Sequence, residues 1–163
     1  LARALERVAD HAVTLGACAA ALSECSVPDG VRHALRTYHL QVMDHLRNAF
    51  EVASAPDVTR ANELLDTGEA LHATHATLSE KLLVRASSPG LARVGSASLG
   101  RALQSIDRTT SYAQDIAQVG LDRAMARRVR PVDLGRLVRR PQGPRAVDGD
   151  LDDSDGDYTP SAA

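Results

Sequence analysis

Apolar positions recur along the first 126 residues in alternating steps of three and four, the spacing that lines up one face of an α-helix. From residue 1 to about 24, Leu1, Leu5, Val8, Ala12, Leu15, Ala19 and Leu22 form such a stripe. SVPDG at 26–30 interrupts it with turn residues: proline fixes its own φ, aspartate folds back on the backbone, and glycine reaches conformations closed to other residues. A second helix is predicted from Val31 to Ala53, with Val31, Leu35, Tyr38, Val42, His45, Ala49 and Val52 inward. APD at 55–57 ends it, and Asp57 is placed to cap a third helix running from Val58 to about Ala86. That helix turns Ala61, Leu64, Gly68, Leu71, His75, Leu78 and Leu82 inward, and SSPG at 87–90 closes it. The fourth, from about Leu91 to Ala126, faces its core with Leu99, Ala102, Ile106, Thr110, Ala113, Ala117 and Gly120. Gly95 and Gly100 are points where it could kink.

Short connections between long helices predict an all-α, antiparallel up-and-down bundle. Composition agrees with this. The chain is 44% hydrophobic but only 2% aromatic, without tryptophan, so alanine and leucine supply the apolar surface. Such side chains suit close-packed helices, whereas a sheet would draw on aromatic and β-branched residues.

Charge divides the chain more sharply than hydropathy. Residues 1–126 hold 12 basic and 14 acidic residues, 127–145 hold 7 and 1, and 146–163 hold none and 6. The expected organisation is therefore a bundle over 1–126, a basic linker over 127–145 and an acidic, disordered tail over 146–163. The bundle carries no nucleic-acid footprint. The basic stretch lacks the aromatics that stack on bases, and the aspartates beyond it offset its charge, so no specific nucleic-acid contact is expected. Cys18 and Cys25, seven apart on one helix, sit roughly 10 Å apart at about 1.5 Å of rise per residue. A disulfide needs Cα atoms within about 7 Å, so both are expected as free thiols, which suits a reducing compartment. No run of about 18 apolar residues and no signal peptide is visible, so the expected location is the cytoplasm.

Candidate chemistry begins with Glu6 and Asp10. On a helical wheel with Leu5 at 0°, the apolar stripe centres near about −40°, while the two carboxylates fall at about 100° and 140°. Like charges at i and i+4 cost a bare helix roughly 0.2–0.5 kcal/mol, so the pair calls for a cation. Arg3 and Arg7 supply one as an ordinary salt-bridged surface, and by spacing alone this is the favoured account. A hard metal ion bridging the two carboxylates is the alternative.

An internal echo adds to this picture. SIDRTTSYAQDIA (105–117) overlays ALERVADHAVTLG (4–16) at an offset of 101, placing Ile106 on Leu5, Asp107 on Glu6, Arg108 on Arg7, Tyr112 on His11 and Ser111 on Asp10. LGRAL (99–103) echoes LARAL (1–5) at an offset of 98 but loses the acid–arginine pair, so 101 is preferred. A repeat of this length implies two similar helical units.

ERVADHA (6–12) closely resembles the signature of the PhoU family of phosphate-uptake regulators, whose two three-helix repeats carry an acid–arginine motif on the third helix. The resemblance covers 1–126. It implies that the first helix ends one repeat, that the next three form the other, and that two preceding helices of the first repeat lie upstream. It implies iron or zinc at Glu6, Asp10 and Asp107, with the second site weakened because Ser111 replaces a carboxylate. It also implies a non-enzymatic role: regulation of phosphate uptake and phosphate-responsive signalling, through contact with the ATPase of the phosphate-specific ABC transporter and with a sensor kinase. A homodimer is a further expected assembly, and membrane association would be peripheral, through the transporter. The other readings are a cytoplasmic accessory domain of a membrane phosphate transporter and a metal-storage or oxidoreductase bundle.

The last of these needs inward carboxylates. Glu69 and His72 have the Glu-x-x-His spacing of di-iron bundles, but no second copy exists. His45, His72 and His75 could share a zinc ion, yet His75 lies in the apolar stripe, where a hydrogen-bonded core histidine is the simpler account. Phosphate-binding glycine loops and nucleophile motifs are absent.

Overall fold

In the computed structural model, which describes residues 1–86 and 93–128, the sequence forms four helices: α1 (Ala2–Ser23), α2 (Asp29–Ser54), α3 (Val58–Ala86) and α4 (Arg93–Arg128). No strand occurs among the described residues. The SSPG closure at 87–90 and nearly all of the basic linker and acidic tail lie outside them.

The helix ends follow from local chemistry. The Pro28 carbonyl accepts from Val31 N at 2.9 Å and from Arg32 N at 3.1 Å, opening α2, while Asp29 pairs with Arg32 at 2.6 Å. At α3 the Asp57 carboxylate accepts from the Arg60 amide at 2.9 Å, as an N-cap should. Gly95 and Gly100 do not interrupt α4, which runs as a single 36-residue helix. Gly100 is exposed, where glycine costs a helix only about 1 kcal/mol.

α4 is the central element and packs against each of the other three helices, while α2 and α3 also pack on one another. Two clusters fill the interior. Leu46, Ala49, Val52, Leu64, Ala113 and Ile116 pack at one end, and Val31, Tyr38, Val42, Leu71, Leu103 and Ile106 at the other. Burying an aliphatic or aromatic side chain of this size contributes about 1.5–3 kcal/mol. α2 and α4 approach closely at Gly120, where a Cβ would stand 2.7 Å from Val52 Cγ1 and 2.9 Å from the Val52 carbonyl oxygen.

α1 departs from the sequence reading in two ways. It packs on α4 but not on α2, its neighbour in sequence. It is also rotated: its inward positions are Ala4, Val8, His11, Leu15, Cys18 and Leu22, whereas Leu1, Leu5, Ala12 and Ala19 are exposed. The stripe read from the sequence averaged two apolar faces. One lies on α4. The other, Leu1, Ala2, Leu5, Ala9, Ala12 and Gly16, points outward, yet its counterparts at the offset of 101 are Ala102, Leu103, Ile106, Thr110, Ala113 and Ala117, all buried. His11 and Tyr112, which correspond at that offset, meet where α1 crosses α4, with ring centroids 5.7 Å apart. Leu1 and Ala4 adjoin Ile116 and Val119, while Leu15 and Leu22 adjoin Ala102 and Ile106, so α1 runs antiparallel to α4. No described helix is long and apolar enough to cross a membrane.

Candidate functional site

Periodicity places Asp107 on the side of α4 that meets α3, and there it organises a half-buried polar cluster. His72 Nδ1 lies 2.6 Å from Asp107 Oδ1, and His75 Nδ1 lies 3.6 Å from the same oxygen. His72 Nε2 faces Gln114 Oε1 at 3.1 Å, while Gln114 Nε2 donates to the Leu65 carbonyl at 3.4 Å. His72 thus bridges Asp107 and Gln114 through its two ring nitrogens. Gly68 leaves room for Gln114, because a Cβ there would stand 2.5 Å from Gln114 Nε2. His75 pairs through Nε2 with the Ser79 hydroxyl at 3.1 Å and stacks on Tyr38 of α2, centroids 6.3 Å apart.

Beneath this layer lie polar atoms with no hydrogen-bond partner: both ring nitrogens of His45, the Tyr38 hydroxyl and the Thr110 hydroxyl. The Tyr38 hydroxyl sits beside Thr110 and Asp107 but meets neither in good hydrogen-bonding geometry. Burial, then the nearby Asp107 charge, raises its pKa well above the usual phenol range. Burial, then His72, lowers the pKa of His45 and keeps the imidazole neutral.

The three carboxylates taken from the sequence as metal ligands lie on two different surfaces, as their assignment to two copies of the motif implied. Glu6 and Asp10 are exposed on α1, and Asp10 pairs with Arg7 at 3.6 Å, the salt-bridged arrangement favoured by spacing. Asp107 faces α3 and is already engaged by His72. Among the described residues, no three His, Cys, Asp or Glu side chains are grouped so as to hold a metal ion. Glu69 is exposed and takes no part in the cluster. Sequence reasoning found Asp107, His45, His72 and His75, placed Tyr38 inward without linking it to them, and missed Gln114. The signal available was a glycine, Gly68, amid inward positions of α3, which marks close approach of another side chain. Cys18 and Cys25 are both free.

The cluster joins α3 to α4 through His72, Gln114 and Asp107 and reaches α2 through the His75–Tyr38 stack, contacts of the kind that fix helix register. Compared with protein-family models, with curated proteins and with solved structures, the chain matches none.

Proposed function

We propose that the protein is a non-enzymatic regulator of phosphate uptake and phosphate-responsive signalling, acting by contact with the ATPase of a phosphate transporter and with a sensor kinase. The observation that carries this reading is the doubled acid–arginine pair, Glu6–Arg7 and Asp107–Arg108, on two helices that cross where the corresponding His11 and Tyr112 meet. The likeness of ERVADHA to the PhoU signature supplies the phosphate context. A bundle with long, continuous helices offers rigid docking faces, and loss of a regulator of this kind would be read in its partners rather than in a turnover rate.

The test is affinity co-purification from phosphate-replete and phosphate-starved cells, with mass spectrometry of what is retained. Recovery of a transporter ATPase or phosphate-responsive kinase, changing with phosphate, is the expected result; partners unrelated to phosphate would remove the reading. A metal held by Glu6 and Asp10 would sit on the solvent side of α1 and need ligands from elsewhere. Elemental analysis of the Glu6→Gln/Asp10→Asn variant tests that role, since an iron or zinc content equal to wild type removes it.

A further inference from the structure

We infer that Ser79 is an activated nucleophile that takes the acyl group of a small apolar ester, with His75 as its base and Asp107 behind the base. Ser79 stands one helical turn beyond His75 on α3, and its hydroxyl lies 3.1 Å from His75 Nε2. His75 Nδ1 lies 3.6 Å from Asp107 Oδ1 on α4. Serine, histidine and carboxylate in this order are the arrangement by which an acyl-transfer nucleophile is recognised, whatever its place in the sequence. An ionised carboxylate can only accept a hydrogen bond. In neutral His75 the proton therefore belongs on Nδ1, and Nε2 is left to accept from the Ser79 hydroxyl.

The base and the carboxylate are each held by a neighbour. Asp107 Oδ1 accepts from His72 Nδ1 at 2.6 Å, which fixes the oxygen that faces His75. Tyr38 of α2 stacks on the His75 ring, centroids 6.3 Å apart. At 3.6 Å the contact between His75 and Asp107 is longer than a hydrogen bond. Contacts of this kind in an unliganded site tighten when substrate arrives and the imidazolium forms.

The space beside the hydroxyl sets the class of ester. Ser79 and His75 border a cleft of about 280 Å³ between α3 and α4, whose apolar walls are Leu82, Leu99 and Leu103. Ligand pockets run from roughly 300 to 1,000 Å³, so this one suits a short acyl chain. No arginine, lysine or carboxylate lines it, which favours a neutral substrate. Gly100 keeps its rim open, since a Cβ there would meet nothing within 4 Å. Gln104 also borders the cleft, three residues before Asp107 and so on the same side of α4. Its carboxamide N–H is the donor for the negative oxygen that develops on the ester carbonyl. In the step itself, Ser79 Oγ bonds to the carbonyl carbon as its proton passes to His75 Nε2. The bond from that carbon to the alcohol oxygen then breaks, and the alcohol leaves with the proton from His75. The products are acylated Ser79 and free alcohol. Because the chain itself carries the product, this modification goes beyond the regulatory reading without resting on it.

The experiment incubates the full chain with p-nitrophenyl butyrate, follows p-nitrophenol release, and locates the butyryl group by peptide mass spectrometry. Wild type should carry butyryl on Ser79, and Ser79→Ala should lose that label. His75→Gln should slow acylation of Ser79 by roughly 10²–10⁴-fold, the usual contribution of a general base. Asp107→Asn should slow it by roughly tenfold or more, because the amide no longer orients the imidazole or stabilises the imidazolium. Helicity by circular dichroism should match wild type in each variant. Should His75→Gln or Asp107→Asn lose helicity, Gly100→Phe serves instead, filling the cleft from its open rim and stopping acylation with the relay intact. A wild-type chain without butyryl at Ser79 overturns the inference, wherever else it is acylated; so does acylation of Ser79 at an equal rate in His75→Gln. The phosphate dependence of co-purified partners is a separate readout, so the reactive serine and the regulatory reading stand or fall apart.

Discussion

At single residues, the most informative positions are those that break the helical pattern. Gly120 lies against Val52 with no space for a methyl group. Gly120→Ala should therefore cost about 1–3 kcal/mol by overpacking, despite alanine's better helix propensity. Gly100 meets nothing within 4 Å, so Gly100→Ala should instead gain roughly 0.5–1 kcal/mol. Urea denaturation of the two variants should move in opposite directions. His45 gives a pH prediction. Its folded pKa lies below the ordinary 6.5, so its contribution to stability is present above that value and is lost as pH falls below it, because the unfolded chain binds the proton more readily. Other groups titrate in the same window, so the comparison is between wild type and His45→Leu. The urea midpoint of wild type should drop more steeply from pH 7.5 to pH 5.5 than that of the variant.

For whole helices, capping and facing are separate problems. Capping was legible: the rule that a short acceptor precedes a helix selected Asp57, and the carboxylate does bond the Arg60 amide. Asp57→Ala should cost about 1 kcal/mol, seen as a lower urea midpoint at unchanged slope. Facing was legible for α2, α3 and α4, whose apolar arcs are narrow enough to name one inward side. It failed for α1, because Leu1, Leu5, Ala12 and Ala19 extend an arc whose other edge is Ala4, His11 and Cys18. A helix with two apolar faces has no single stripe, and periodicity returns their mean. Since α1 packs on α4 alone, its amides should exchange with solvent before those of α2 and α3 in dilute solution, as a helix held on one side opens at lower free energy.

The molecule as a whole depends on α4. Ile116 is wholly buried among residues of α2, α3 and α4, and Ile116→Ala should cost about 2–5 kcal/mol. The sequence by itself determined the helix count, nearly every helix boundary and the inward faces of three helices, because these depend on spacing, turn residues and caps a few positions apart. It also identified Asp107 and the histidines as chemically distinctive. Only the tertiary structure decided that Asp107 meets His72 and His75 where α3 crosses α4, and that α1 leans on α4 but not on α2. Those outcomes depend on which helices touch and at what rotation, and contacts between residues more than 30 positions apart leave no local period to read.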